Sequence, residues 1–221
     1  MRVRLNRETD KLKKRLIELS TLVEERFRLA VKAIECRDGK LAKDVIEGDF
    51  EIDNLEVDLE EECLKILALH QPVADQLRYI VAVLKMNNDL ERIGDLAVNI
   101  AERGEFLAQH ENLQIPFDYF TMCQKVDGML KNALDAMVNV DLQLAYQVCV
   151  EDDEVDFMKN TMQAQFAQRI RFNSDNLDAL IHLFLISRHL ERIADHATNI
   201  AEDVIYMITG QIHRHRGDEF D

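Results

Sequence analysis

DLERIGDLAVNIAE, running from Asp89 to Glu102, returns one hundred residues later as HLERIADHATNIAE, from His189 to Glu202. In the first copy Leu90, Ile93, Ala97 and Ile100 recur at the three- and four-residue spacing of an amphipathic helix, so the segment predicts a helix that occurs twice. Glu91, Asp95 and Asn99 stand four residues apart, as do Glu191, Asp195 and Asn199. That spacing places three oxygen-bearing side chains on one helix face. Carboxylates at i and i+4 repel and destabilise an exposed helix by about 0.2 to 0.5 kcal/mol. A chain that repeats the arrangement calls for something cationic to offset it, and a metal ion is the first candidate.

The rest of the 221-residue chain is also of helical composition. It has only 2 Pro and 7 Gly, no Trp, and many Leu, Ala, Glu, Lys and Met. The formal charge of -15 argues against nucleic acid as the main partner, because phosphate binding depends on Lys and Arg. Cys36, Cys63, Cys123 and Cys149 are widely spaced with no CxxC, and read as small buried hydrophobes in a reducing compartment. No stretch approaches 18 consecutive apolar residues, and MRVRLNRETDKLKKR lacks the apolar segment of a signal peptide. A cytoplasmic protein is expected, without membrane insertion but compatible with peripheral association.

Breaks in the helical pattern predict six long helices: Asn6 to Arg37, Asp38 (as N-cap) to Leu69, Pro72 (at the first helical position) to about Gly104, Phe117 to Asn139, Asp141 (as N-cap) to Ile170, and a sixth from the turn at Phe172–Asp175 to about Gly210. A shift of 103 residues superposes Asp38 on Asp141, Leu41 on Leu144, Val45 on Val148, Asp49 on Asp152 and Asp53 on Asp156; by the third helix the shift is 100. The fold expected is all-α: tandem duplicated three-helix bundles, residues 1–108 and 117–211, joined by a linker at 109–116.

Asp49 and Asp53 mirror Asp95 and Glu91 about Pro72, in the turn between their helices. With both arms rising about 1.5 Å per residue, antiparallel packing brings Asp53 level with Glu91 and Asp49 level with Asp95. Asp152 and Asp156 mirror Asp195 and Glu191 about the next turn in the same way. Two four-carboxylate clusters are therefore expected, each flanking the apolar stripe of its helices. Oxygen-only ligation suits Mg, Mn, Ca or Fe, and several carboxylates can bridge more than one ion. Asn99 and Asn199 continue the stripe as candidate ligands or as hydrogen-bond donors to ligating carboxylates. Arg92 and Arg192 are expected to pair with neighbouring acids, and His196 is a candidate at the rim.

On LERIGD…NIAE, LERIADHATNIAE, the preceding Asp-xxx-Asp pairs and ALHQPVADQLRYI at Ala68 to Ile80, the chain resembles the PhoU-type regulators of phosphate transport and phosphate signalling over nearly its whole length. The resemblance implies multinuclear metal clusters at Asp49/Asp53 with Glu91/Asp95 and at Asp152/Asp156 with Glu191/Asp195. Iron is the first occupant expected, with zinc, manganese and magnesium as alternatives. It also implies a non-enzymatic role: negative regulation of phosphate uptake and of the phosphate-starvation response, through contact with the ATPase subunit of the phosphate ABC transporter and with a sensor histidine kinase. A homodimer is expected. RFNSDNLDALI, at the second hairpin turn, departs from the QPxAxxLR pattern of the first. The competing enzymatic reading is a carboxylate-bridged di-metal oxidase or iron-storage bundle. That class places Glu-xx-His on two helices, and no Glu here lies three residues before a His.

Overall fold

The structure, a computed structural model, describes residues 2–110, 118–172 and 177–211. The described residues form seven helices: α1 (Arg2–Glu35), α2 (Gly39–Glu47), α3 (Phe50–His70), α4 (Asp75–Ala108), α5 (Tyr119–Asn139), α6 (Leu142–Phe172) and α7 (Leu177–Thr209). The fold is all-α, as the periodicity predicts. Asp38 and Asp141 cap their helices at equivalent positions of the two repeats. Asp38 Oδ1 accepts from the Lys40 and Leu41 amides, and Asp141 Oδ1 accepts from those of Gln143 and Leu144.

Two expectations about boundaries are corrected. The helix expected from Asp38 to Leu69 is two helices, broken at Gly48–Asp49. Gly48 is a weak helix former, and the Arg26 guanidinium lies over it where a side chain would stand. From there Arg26 bonds the Asp44 carbonyl at 3.2 Å and Glu51 at 2.6 Å. In the second repeat Glu151 holds the matching position and α6 runs through unbroken. Six of the seven helices among the described residues are long, as expected, and the nine-residue α2 together with α3 fills the place of one. Pro72, expected at the first helical position, lies outside any helix. Gln71 ends α3 in the left-handed conformation with its amide on the Leu67 carbonyl, and α4 begins only after Ala74, also at positive φ. The turn expected inside Phe172–Asp175 falls largely on residues 173–176, outside the described residues, as does most of the 109–116 linker.

The repeated segment occupies the centre of the molecule. Along α4, Ile80, Val83, Leu90, Ile93, Ala97, Ile100 and Ala101 are buried; along α7, Leu183, Leu190, Ile193, Ala194, Ala197, Ile200, Ala201 and Val204 match them. Each helix is buried over a wide arc because it packs against its own repeat on one side and against the other repeat on the opposite side. One continuous apolar core runs through both halves, and α1 feeds it with Leu12, Leu16, Leu19, Val23 and Phe27.

Polar contacts fix α4 and α7 as antiparallel. Lys85 Nζ meets Asp203 Oδ1 at 2.7 Å, and Asp89 Oδ1 meets His196 Nδ1 at 2.8 Å. Cys63 and Cys123 are buried and Cys149 is partly so, with thiols that burial pushes up to about 12. Cys36 departs from the expectation: it is exposed, beside the turn that ends α1.

Candidate functional site

The break at Gly48–Asp49 positions the first cluster. It leaves Asp49 at the junction of α2 and α3, one turn before Asp53. On the facing helix Gly94 permits the close approach. A side chain there would meet Ile52 at 3.1 and 3.2 Å, and Asp49 Oδ1 lies only 3.8 Å from the same point. Asn87, fully buried on α4, fixes the register by donating to the Glu56 carbonyl at 3.0 Å and to the Glu56 carboxylate at 3.1 Å. The charge of Asp53 on α3 reaches Glu91 on α4 across this pair.

The charges of this cluster act on one another across the helix pair. Burial raises the Asp49 carboxyl above the ordinary carboxylate range, and the charges of Asp53 and Asp95 raise it further. Glu91 is raised by burial first and then by Asp95, with Glu56 and Asp53 adding to the effect and Arg92 opposing it. Arg92 stands 3.3 Å from Glu91 and 3.2 Å from Asp95. It pairs with the neighbouring acids, as expected.

The second cluster is built the same way on α6 and α7. Burial and the charges of Asp195 and Asp156 push the Asp152 carboxyl up to about 6. Asp195 is raised by burial, Glu191 and Asp156, against the lowering effects of His196 and Lys159. The volume compensation at its centre mirrors the first repeat: Ala194 replaces Gly94, and the smaller Val155 replaces Ile52.

Not every candidate joins these clusters. Asn99 donates to the Asp95 carbonyl of its own helix at 2.8 Å, and Asn199 donates to Asp89 on the other repeat at 3.3 Å. His196, the rim candidate, also turns to Asp89. A cleft of about 560 Å³ along the α4–α7 crossing includes Asn199, Lys85, Asp89 and Asp203, but none of the eight cluster carboxylates.

Two charged participants escaped the sequence reading. Glu56 follows Asp53 by three residues on the same helix face, but its mirror position holds an amide, so a search for mirrored acids passes over it. Lys159, three residues after Asp156, reaches across to Glu191 at 2.9 Å and to Asp156 at 3.8 Å. Its i+3 spacing was the available signal.

The donor set is all oxygen, and burial with the neighbouring acids raises the proton affinity of Asp49, Glu91, Asp152 and Asp195, which suits a hard or borderline multivalent cation. As the side chains stand, no group of three or more His, Cys, Asp or Glu among the described residues is arranged to hold a metal ion. Their oxygens lean instead on Arg92 and Lys159.

The PhoU domain model matches residues 16–104 and 120–204. A PhoU homologue of the phosphate-specific transport system from Thermotoga maritima is 38% identical over 213 residues, covering 95% of this chain and 90% of its own. One from Aquifex aeolicus is 36% identical over 97% of each chain. The crystal structure of PhoU from Pseudomonas aeruginosa superposes with a TM-score of 0.89 at 35% identity, covering 93% of this chain and 99% of that one. That of the PhoU regulatory protein from Streptococcus pneumoniae reaches 0.88 at 25% identity. With both repeats matched and relatives aligned over nearly their whole length, the chain belongs to the PhoU domain family.

Proposed function

We propose that this chain is a metal-binding negative regulator of phosphate uptake and of phosphate-starvation signalling, working by protein contact and not by catalysis. The observation that carries the reading is the convergence of carboxylates from two helices in each repeat of a chain whose relatives are accessory proteins of phosphate-specific transport. Asp49, Asp53, Glu91 and Asp95 would hold metal in the first repeat, and Asp152, Asp156, Glu191 and Asp195 in the second. A bound cation would supply positive charge that neutralises the acids and ties α3 to α4, or α6 to α7. Iron is the proposed occupant, with zinc, manganese and magnesium as alternatives.

The proposed partners are the ATPase subunit of the phosphate ABC transporter and a sensor histidine kinase, with the chain acting as a homodimer in the cytoplasm. Exposed Phe50, Val57 and Leu64, at seven-residue intervals along α3, and exposed Val150 and Phe157 on α6 support contact with other proteins. No helix among the described residues is long and apolar enough to cross a membrane, and the proposed association with a membrane is peripheral. Deletion in the native host is the test. Phosphate-starvation genes should be expressed in phosphate-rich medium and an intact copy should silence them; unchanged expression overturns the reading.

A further inference from the structure

We propose that the outer face of α1 and α3 is a self-complementary surface on which a second copy of this chain docks antiparallel, α1 on α1 and α3 on α3, about a twofold axis at the level of Val57. The proposal rests on the homodimer reading above and assigns it a surface.

Arg7, Lys11, Lys14, Glu18, Thr21 and Glu25 follow one another along α1 at alternating intervals of four and three residues. That spacing sets them in one stripe, and all six are exposed. The stripe is a charge dipole, with three cations in its first half and two carboxylates in its second. On α3, Phe50, Val57 and Leu64 make an apolar stripe at seven-residue intervals, each more than half exposed. The two stripes border one surface, because Glu18, Thr21 and Glu25 line a groove together with Phe50 between α1 and α3. Packing within a repeat does not call for the apolar stripe. Under the shift of 103 residues its counterparts on α6 are Asp153, Asn160 and Ala167.

The register of α1 against α3 makes the face its own complement. The two helices run antiparallel, since Glu8 meets His70 at 2.5 Å, Arg15 meets Asp58 at 3.6 Å and Arg26 meets Glu51 at 2.6 Å. Leu16, midway along the dipolar stripe, therefore stands level with Val57, midway along the apolar one. A twofold axis at that level, lying in the plane of the face, sets Val57 on the partner's Val57 and Phe50 against the partner's Leu64. The same axis brings Lys14 to the partner's Glu18 and Arg7 to the partner's Glu25. Arg15, Arg26 and Lys65 are engaged within the chain, on Asp58, Glu51 and Glu61, and leave the dipole of α1 unchanged.

Charge also selects the occupant. Copies of a chain with a formal charge of -15 repel at long range, so a face that carries both signs in matched order is what draws two of them together. An anionic membrane or a nucleic acid would meet Glu18 and Glu25 on the same face. The stripe on α1 is about 27 Å long and the face is two helices, about 20 Å, wide, a footprint of about 500 Å² on each copy. That size belongs to small, reversible interfaces.

The test is sedimentation equilibrium of the full chain. The wild type should dimerise reversibly and more weakly at high salt. Val57→Asp, which places two carboxylates against each other on the axis, should weaken the dimer about tenfold or more. Glu18→Lys with Glu25→Lys makes the stripe of α1 basic throughout, and Arg7→Glu with Lys14→Glu makes it acidic. Each double variant alone should lose about tenfold or more in self-association, and mixing the two should restore a dimer that contains one copy of each. Helical circular dichroism checks each variant's fold, and recovery on mixing cannot come from misfolded chains. A wild-type dimer whose affinity is unchanged in all three variants overturns the proposal and leaves the homodimer reading standing on another face. If those variants also fail to silence phosphate-starvation genes in the deletion host, the face belongs to a different protein and the proposal is again overturned. A wild type that stays monomeric at every concentration overturns the homodimer reading as well.

Discussion

Asp152→Asn should make the metal-free protein more stable at neutral pH, although it removes a polar interaction partner from a half-buried site. The Asp152 carboxyl is held at about 6 against an ordinary 3.8, by burial first and then by Asp195 and Asp156. Between those values the folded chain binds more protons than the unfolded chain. The residue's contribution to stability therefore falls as pH rises from about 3.8 to about 6, and the penalty is complete above that. A shift of about two units corresponds to about 3 kcal/mol at 1.36 kcal/mol per unit. Because the side chain is only partly buried, solvent screening leaves about 1 to 2 kcal/mol. An asparagine keeps the shape and removes the charge. Urea unfolding in the presence of chelator should show the variant about 1 to 2 kcal/mol more stable at pH 7.5, with the gap closing near pH 4. Groups such as His189 tilt the wild-type curve the other way, so the difference between the two proteins at each pH is the quantity to read. A variant less stable at pH 7.5, or a gap independent of pH, would refute the electrostatic convergence from which the cluster is argued.

Three further outcomes follow from the same geometry. Gly94→Ala drives a methyl group to within 3.1 Å of a buried Ile52, and should cost about 1 to 2 kcal/mol net of the better helix propensity; adding Ile52→Val, which copies the Ala194/Val155 pair of the second repeat, should recover most of that in a urea double-mutant cycle, whereas additivity would contradict the packing argument. His189 is lowered to about 4 by burial and then by Arg103, Arg192 and Arg188, so its contribution is complete above the ordinary 6.5 and is lost as pH falls toward 4. His189→Asn should accordingly shrink the fall in melting temperature between pH 7 and pH 5, and an unchanged fall would count against it. Lys85→Met removes the ammonium from a carboxylate only 8% exposed and should cost about 2 kcal/mol, most of it restored by adding Asp203→Asn; equal stability of the single and double variants would deny that pair a role in holding the repeats together.

The helical class and the duplication were legible because each depends on local periodicity and its repetition along the chain. Leu90, Ile93 and Ile100 mark their face at 3.6-residue spacing, and Asp38 and Asp141 mark their own helix starts. The break at Gly48 was not legible, since it depends on Arg26, a residue on another helix that occupies the space above the glycine. Pro72 misled for a related reason: Gln71 and Ala74 on either side of it, both at positive φ, postpone the next helix, and neither residue type announces that conformation. The site showed the same division. Carboxylates at i and i+4 declare a shared face, but Glu56 and Lys159 act through contacts to the opposite helix, and Asn199 and His196 are drawn away by Asp89 of the other repeat. A one-dimensional pattern carries the face of a helix and leaves out what the facing helix brings to it.

The reading at stake is that the paired acids of each repeat form cation sites. Anomalous diffraction at the iron, manganese and zinc edges, from crystals of protein purified without chelator, tests it most directly. Metal density is expected among Asp49, Asp53, Glu91 and Asp95 and among Asp152, Asp156, Glu191 and Asp195. Crystals without anomalous density at either cluster would contradict it.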